Sequence, residues 1–418
     1  MSDKSDDEIL TLAERRYRLL REESMIVPAV SSEIDFEIPP PWFDADKFRN
    51  AQKLAQKYYI SLNMSHLVGL LMVVQLPSGL EPLLATGNSK DIPKLFRRYL
   101  STIVHVRSWY EEDPYKEGSK AYKSIRQVRR MHARACEMMN KKTGRVIGRD
   151  RIWVSQWEMA ITQWAFIGVL ILYPKDCGGH SLSDGDLELL NYFWRFIGYL
   201  HGIEDRFNIC NGNLRESRAL YKLILDREYR AVIGQNPHPA PVGYEMAKGI
   251  AKSLRPLNPS LRWQTFLKHF YTALEIPVEI PLKRVHRFRY SLLSFLVYTG
   301  LKSRMIYAPL NSLLRWNVRR QEKKRDQHEK MLTKKYPDEK YESGCPYAID
   351  LDYIDAFQTS DMPNKTLEEQ SKGVCMRNNN DNSGDKMTGN SMESCKLAEI
   401  NANVIEQVAT LPSPQVAC

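Results

Sequence analysis

The chain of 418 residues carries a formal charge of +10, with 43% hydrophobic and 26% charged residues. These are ordinary globular values, and they exclude a low-complexity polymer or a disulfide-dense scaffold. The seven cysteines are scattered and never spaced as CxxC, which gives no thiolate zinc site and reads as free thiols in a reducing compartment.

Residues Ser5 to Glu23 are charged and helix-prone, and Pro28, Pro39, Pro40 and Pro41 follow in a linker. Helical periodicity then runs from Phe48 to Gln75 with a break expected at Ser61 to Ser65, and Pro77, Gly79 and Gly87 bound a loop-rich stretch. Asp91 before Pro93 predicts the start of a helix through Trp109. Ser124 to Met139 places Ile125, Val128, His132, Ala135, Cys136 and Met139 on one stripe at 3.6 residues per turn, so His132 points inward. Each nitrogen of an inward imidazole needs a partner, either a hydrogen bond or a metal.

Ser155 to Leu172 is apolar on nearly every face and predicts a buried central helix. Ser183 with Asp186 forms a capping box for a helix through Ile203. Further helices are expected at 214–233, 244–253, 260–274 and 284–300, and no alternating strand pattern appears. The expected class is all-α, divided into an N-terminal helix and linker (1–41), a helical domain (42–335) and a disordered polar tail (336–418).

Three stretches are apolar enough to examine as membrane spans: Ile60 to Leu76, Ala160 to Tyr173 and Tyr290 to Leu314. Polar interruptions or short length make all three core or interfacial helices. The last runs into the basic segment Arg315 to Lys335, an order that suits either a helix in a membrane interface or a core helix followed by a solvated one. No nucleic-acid reader motif accompanies the charge. The acidic start MSDKSDDEIL differs from a secretory signal. An intracellular location is expected, cytoplasmic or peripheral on the cytoplasmic face of an internal membrane such as the ER.

Polar groups on otherwise apolar helices mark the candidate site. Arg98 and Thr102 share a face four residues apart, and Gln156, Thr162 and Gln163 interrupt the apolar central helix. Core hydrogen bonding is the alternative for at least one glutamine. The motifs LLATGNSKD, RRYLST, VRRMHARACE, WVSQWEMAITQWAF and YFWRFIGYLHGIEDRFN resemble, in order and approximate spacing, the haem-dependent oxygenase family. That family includes the rubber oxygenase (latex clearing protein) and the fungal ER-bound oxygenase of mycophenolic acid biosynthesis.

The resemblance implies a globin-like helical core around haem b, with oxygen-dependent cleavage of a C=C bond in an isoprenoid or lipid substrate. Carried over by position, it makes His132 the iron ligand, Arg98 and Thr102 the polar pair of the pocket, and Glu81 the candidate catalytic carboxylate. Gln163 and His201 are candidate cofactor contacts; His201 is otherwise expected as an exposed histidine at a helix end. Ser101 stands where rubber oxygenases carry a lysine able to close the sixth iron position. The expected partners are dioxygen and a hydrophobic small molecule. A haem-binding sensor or carrier and a metal-free helical lipid-binding scaffold remain the competing readings.

Overall fold

Among the described residues there is no β-strand, only isolated bridges between Pro28 and Ser155 and between Asp91 and Lys340. The structure is a computed structural model that describes residues 4–236 and 238–341. The expected disordered tail lies, from residue 342, outside them.

Helix α1 (Asp6–Glu23) opens on a capping box between Ser5 and Glu8. It packs along α9 (214–233), a continuous helix with a π turn at Leu225–Arg230. Buried Ile9, Ala13 and Leu20 and ion pairs such as Arg227–Glu14 at 2.6 Å hold the two together. The proline-bearing stretch is likewise pinned: Ala29 N–H donates to Val154 and Ser31 N–H to Gly202. Residues 1–41, expected as a separate helix and linker, are therefore built into the domain wherever they are described.

Helices α2 (Ala45–Lys57) and α3 (Tyr59–Val73) meet at Tyr58, earlier than the expected break. A short helix, α4 (Pro77–Ala85), occupies the stretch expected as loop, with Pro77 at its first turn, where a missing N–H costs nothing. Helix α5 (Ile92–Glu111) starts at Asp91 as expected, and α6 (Lys120–Thr143) ends on Gly144 in the left-handed region.

The central helix is α7 (Gln156–Leu172), fixed by a capping box between Ser155 and Glu158. Gly69 of α3 lets the two backbones cross closely, since a Cβ there would meet the Ala165 carbonyl of α7. Helix α8 (Asp184–Leu200) opens on the expected Ser183–Asp186 box and stops before Ile203. Its aromatic face stacks on α2, with Phe48 and Phe193 rings 5.3 Å apart.

Helices α10 (Pro241–Ser253), α11 (Trp263–Ala273), α12 (Arg284–Tyr298), α13 (Arg304–Glu322) and α14 (Arg325–Lys335) complete the order. The apolar stretch Tyr290 to Leu314 is thus two helices joined by a short turn at Gly300–Lys302. On α12 only Val297 is buried, so it is not a core helix. The basic segment ends in α14, which packs on α5 and buries Leu332.

Candidate functional site

Four helices each carry a stripe of partly accessible residues beside their buried face. On α3 it is Asn63, His66, Leu67 and Leu70; on α5, Arg98, Ser101, Thr102 and His105; on α6, Val128, His132 and Ala135; on α7, Thr162 and Phe166. Within each stripe the residues are separated by three or four positions, one helix face. His132 lies on the inward stripe of α6, between buried Ile125, Arg129, Cys136 and Met139.

The ring is only half-buried, yet burial, with Arg98 adding to it, depresses its pKa to about 4. A group surrounded by protein that still offers surface borders an internal hollow. His66 behaves the same way: half-buried, it is held down to about 3 by burial. Arg98 too is lowered by burial.

The nitrogens of His132 are distinguishable. Nδ1 is buried without a hydrogen-bond partner. Among the described residues no hydrogen bond engages Nε2 either, and it is not among the fully buried atoms, so it keeps accessible surface. The neutral ring thus presents a free nitrogen lone pair there at physiological pH when Nδ1 carries the proton.

Arg98 reaches the Thr86 hydroxyl at 3.4 Å, and Thr102 donates to the Arg98 carbonyl at 3.2 Å, which leaves its oxygen lone pairs open. Among the described residues no carboxylate acts on Arg98. Its fork is weakly occupied and suited to an anionic group. Glu81 is half-buried on α4, the helix that leads to Thr86, and it is not among the groups acting on Arg98. Ser101 stands half-buried between Arg98 and Thr102.

Two expectations need correction. His201 does cap α8, but it is 6% exposed rather than open to solvent. Its ring lies 4.7 Å from Trp109 and 6.2 Å from His132, and its buried Nε2 has no partner. Burial first, and neighbouring His132 next, push it well below its ordinary value. Gln163 is not a pocket group: its amide donates to Trp194 O at 2.9 Å and Asn208 Oδ1 at 3.0 Å and accepts from Ile209 N–H. It ties α7 to α8 and the following loop. Gln156 does the same work with Pro28, Ala29, Gly202 and Glu204.

Trp109, Ser124 and Tyr110 are not singled out by the sequence, whereas His66 and His105 are, as alternative ligands to His132. Trp109 donates to Ser124 Oγ at 2.8 Å, and that oxygen also meets His105 Nδ1 at 2.8 Å. This network fastens α5 to α6 beside His201. Tyr110 and His66 Nε2 lie 3.2 Å apart, with the Phe166 and Trp194 rings around the imidazole. The i, i+4 spacing of His105 and Trp109 was the available signal.

The donor set fits haem. Among the described residues no group of three His, Cys, Asp or Glu side chains converges. A porphyrin brings its own equatorial nitrogens and asks of the protein one neutral imidazole and cationic partners for its propionates. His132 and Arg98 are of those kinds, on one hollow.

Fold and site together define a protein that is all-helical among the described residues and that gathers His66, His132, His201 and Arg98 between its helices. Residues 58–293, more than half of the chain, match the family described as ER-bound oxygenase mpaB/B'/Rubber oxygenase, catalytic domain. The chain belongs to that family and is an oxygenase. The match runs beyond Ile209 into α12. A solved structure of latex clearing protein LCP in the closed state is similar at 15% identity and a TM-score of 0.49, covering 75% of this chain and 88% of that one. No curated protein matches the chain in sequence.

Proposed function

We propose that this oxygenase depends on haem b, held by His132 Nε2, and oxidises a hydrophobic isoprenoid or lipid substrate, cleaving a C=C bond. The observation that carries the reading is the His132 ring: held neutral by burial, with Nδ1 unpartnered and some accessible surface left on the residue. When bound, haem supplies the activation of dioxygen that no side chain here can perform alone.

The remaining work falls to the chain itself. Burial keeps the His132 ring neutral, so its lone pair is open to a metal and not to a proton. Arg98 offers planar donors to a propionate or another anionic group. Thr86 meets the Arg98 guanidinium, and Thr102, which donates to the Arg98 backbone carbonyl, adds an acceptor on the same helix face. Leu67, Leu70, Val128, Ala135 and Phe166 supply apolar wall, which excludes water and suits a polyprenyl-like or acyl chain. Ser101 has a side chain too short to serve as an iron ligand in the way a lysine would, so it would leave a bound haem without that competitor for dioxygen. The rubber oxygenase of the family name acts on a polymer of this chemistry; the substrate here is inferred from that name and from the apolar walls.

Product analysis tests the proposal. The haem-loaded protein, given dioxygen and polyprenyl or unsaturated lipid candidates, is expected to release carbonyl products. A full haem spectrum with no oxygen consumed on any hydrophobic alkene would count against the substrate class, and a purified protein that takes up no haem would count against the cofactor.

A further inference from the structure

Between Glu279 and Glu322 the sequence holds nine Lys or Arg and no acidic residue. This run forms α12, its turn and α13. On α12, Phe288 (72% exposed), Leu292 and Phe295 form one outward stripe at i, i+4 and i+7. On α13, Met305 (87% exposed), Leu313 and Trp316 stand exposed in turn, and the two helices approach at Gly300, where the half-exposed Leu296 and Ile306 flank the turn. Contiguous apolar surface of this kind marks a partner or a membrane.

The neighbouring stripe of α13 lines a cleft of about 600 Å³ between α13, the end of α2 and the Gly178–Ser181 loop. Lys53, Lys57, Lys302, Arg304 and Arg315 line it, and no Asp or Glu does. Among the described residues only Arg315 of these five has a carboxylate partner, Glu111 at 3.3 Å. Lys302 and Arg304 directly precede exposed Met305, so the cationic cleft and the apolar stripe adjoin.

We propose that the α12–α13 face docks on an anionic phospholipid bilayer, with the apolar stripe in the acyl boundary and lipid phosphate in the cationic cleft. Charge selects this occupant. Two copies of a face whose run holds nine cations, of which Arg315 and Arg319 are paired with Glu111, keep a net positive charge and repel each other, whereas an anionic leaflet attracts each one. The apolar stripe needs a medium that accepts aromatic and aliphatic side chains, with the cations at headgroup level. The proposal is independent of haem.

The test is flotation of the full chain with phosphatidylcholine vesicles, with and without phosphatidylserine. The expected result is flotation with the anionic vesicles at low salt, release at high salt, and none with the neutral vesicles. The Lys302→Gln/Arg304→Gln variant should partition about 30-fold less, since each basic residue near the surface is worth about 1 kcal/mol. Phe288→Ser/Leu292→Ser should stay at the bottom with an unchanged melting curve, because both side chains are exposed. Absence of flotation with anionic vesicles, or flotation unaffected by either variant, overturns the proposal. So does self-association in place of flotation. Inorganic phosphate that raises the melting temperature of the parent but not of the Gln variant, without vesicle binding, would assign the cleft to free phosphate and also overturn it.

Discussion

The hollow around His132 and the face formed by α12 and α13 treat polar and apolar groups in opposite ways. In the hollow, His66, His132 and His201 are all depressed by burial, and orphaned imidazole nitrogens sit among aromatic rings. On the outer face large apolar side chains stand in solvent beside a cleft lined by five cations, of which only Arg315 has a carboxylate partner among the described residues. The first is polar chemistry in an apolar place, the second apolar surface in a polar place. Each costs free energy in isolation, and each is a departure that a bound partner can relieve. A native fold keeps such departures where function needs them.

The contrast can be broken most severely at the α3–α7 crossing. Gly69→Ala puts a methyl group against the Ala165 carbonyl and should cost on the order of 3 kcal/mol, read as a lowered melting temperature and lost haem uptake. Phe288→Ser on the outer face should change stability by less than about 0.5 kcal/mol. Similar losses from both would mean that the outer face is packed and the contrast is false.

Arg98→Ala sharpens the inner half. Removing the pocket's planar cation should lower turnover roughly ten- to a hundredfold, the equivalent of one charge-assisted hydrogen bond. The melting temperature should move little, because no carboxylate loses its partner. A stability loss with unchanged turnover would make Arg98 a structural residue.

The pH dependence has a definite sign. The folded His66 ring stays neutral to about pH 3, while in the unfolded chain it takes up a proton near its ordinary 6.5. The unfolded state therefore binds more protons across that window, so stability falls as pH drops from about 6.5 and is flat above it. Melting temperatures from pH 8 to 4 should show this, and His66→Phe should flatten the slope by about one proton.

The smallest effect is expected at His201. His201→Leu should retain haem while shifting its absorption or reduction potential, since a neutral polar ring beside His132 is replaced by an alkyl group. An identical spectrum and potential would leave His201 as packing only.

Much of this was legible in the chain itself. The Ser183–Asp186 box, the Asp91 start and the inward stripe of His132 follow from local chemistry, and each is present. Helix α4 was hidden because Pro77 and Gly79 punctuate loops and first turns alike. The attachment of α1 to α9 depends on pairs such as Arg215 and Asp6, more than two hundred residues apart, which periodicity cannot reveal. At the site, spacing put Arg98 and Thr102 together, but nothing local separated Gln163, bound to the core, from Thr162, exposed one residue before it. His201 read as a helix end and hence as exposed; its burial comes from Trp109 on a distant helix.

The central claim is that His132 Nε2 holds haem in the hollow. Haem titration of the parent and of His132→Gly, followed by absorption and repeated with added imidazole, tests it most directly. The account predicts a Soret band in the parent, little haem retained by the variant, and recovery of the band when free imidazole fills the place of the ring. A variant that binds haem with the parent's spectrum and without imidazole would contradict it and move the ligand to another histidine.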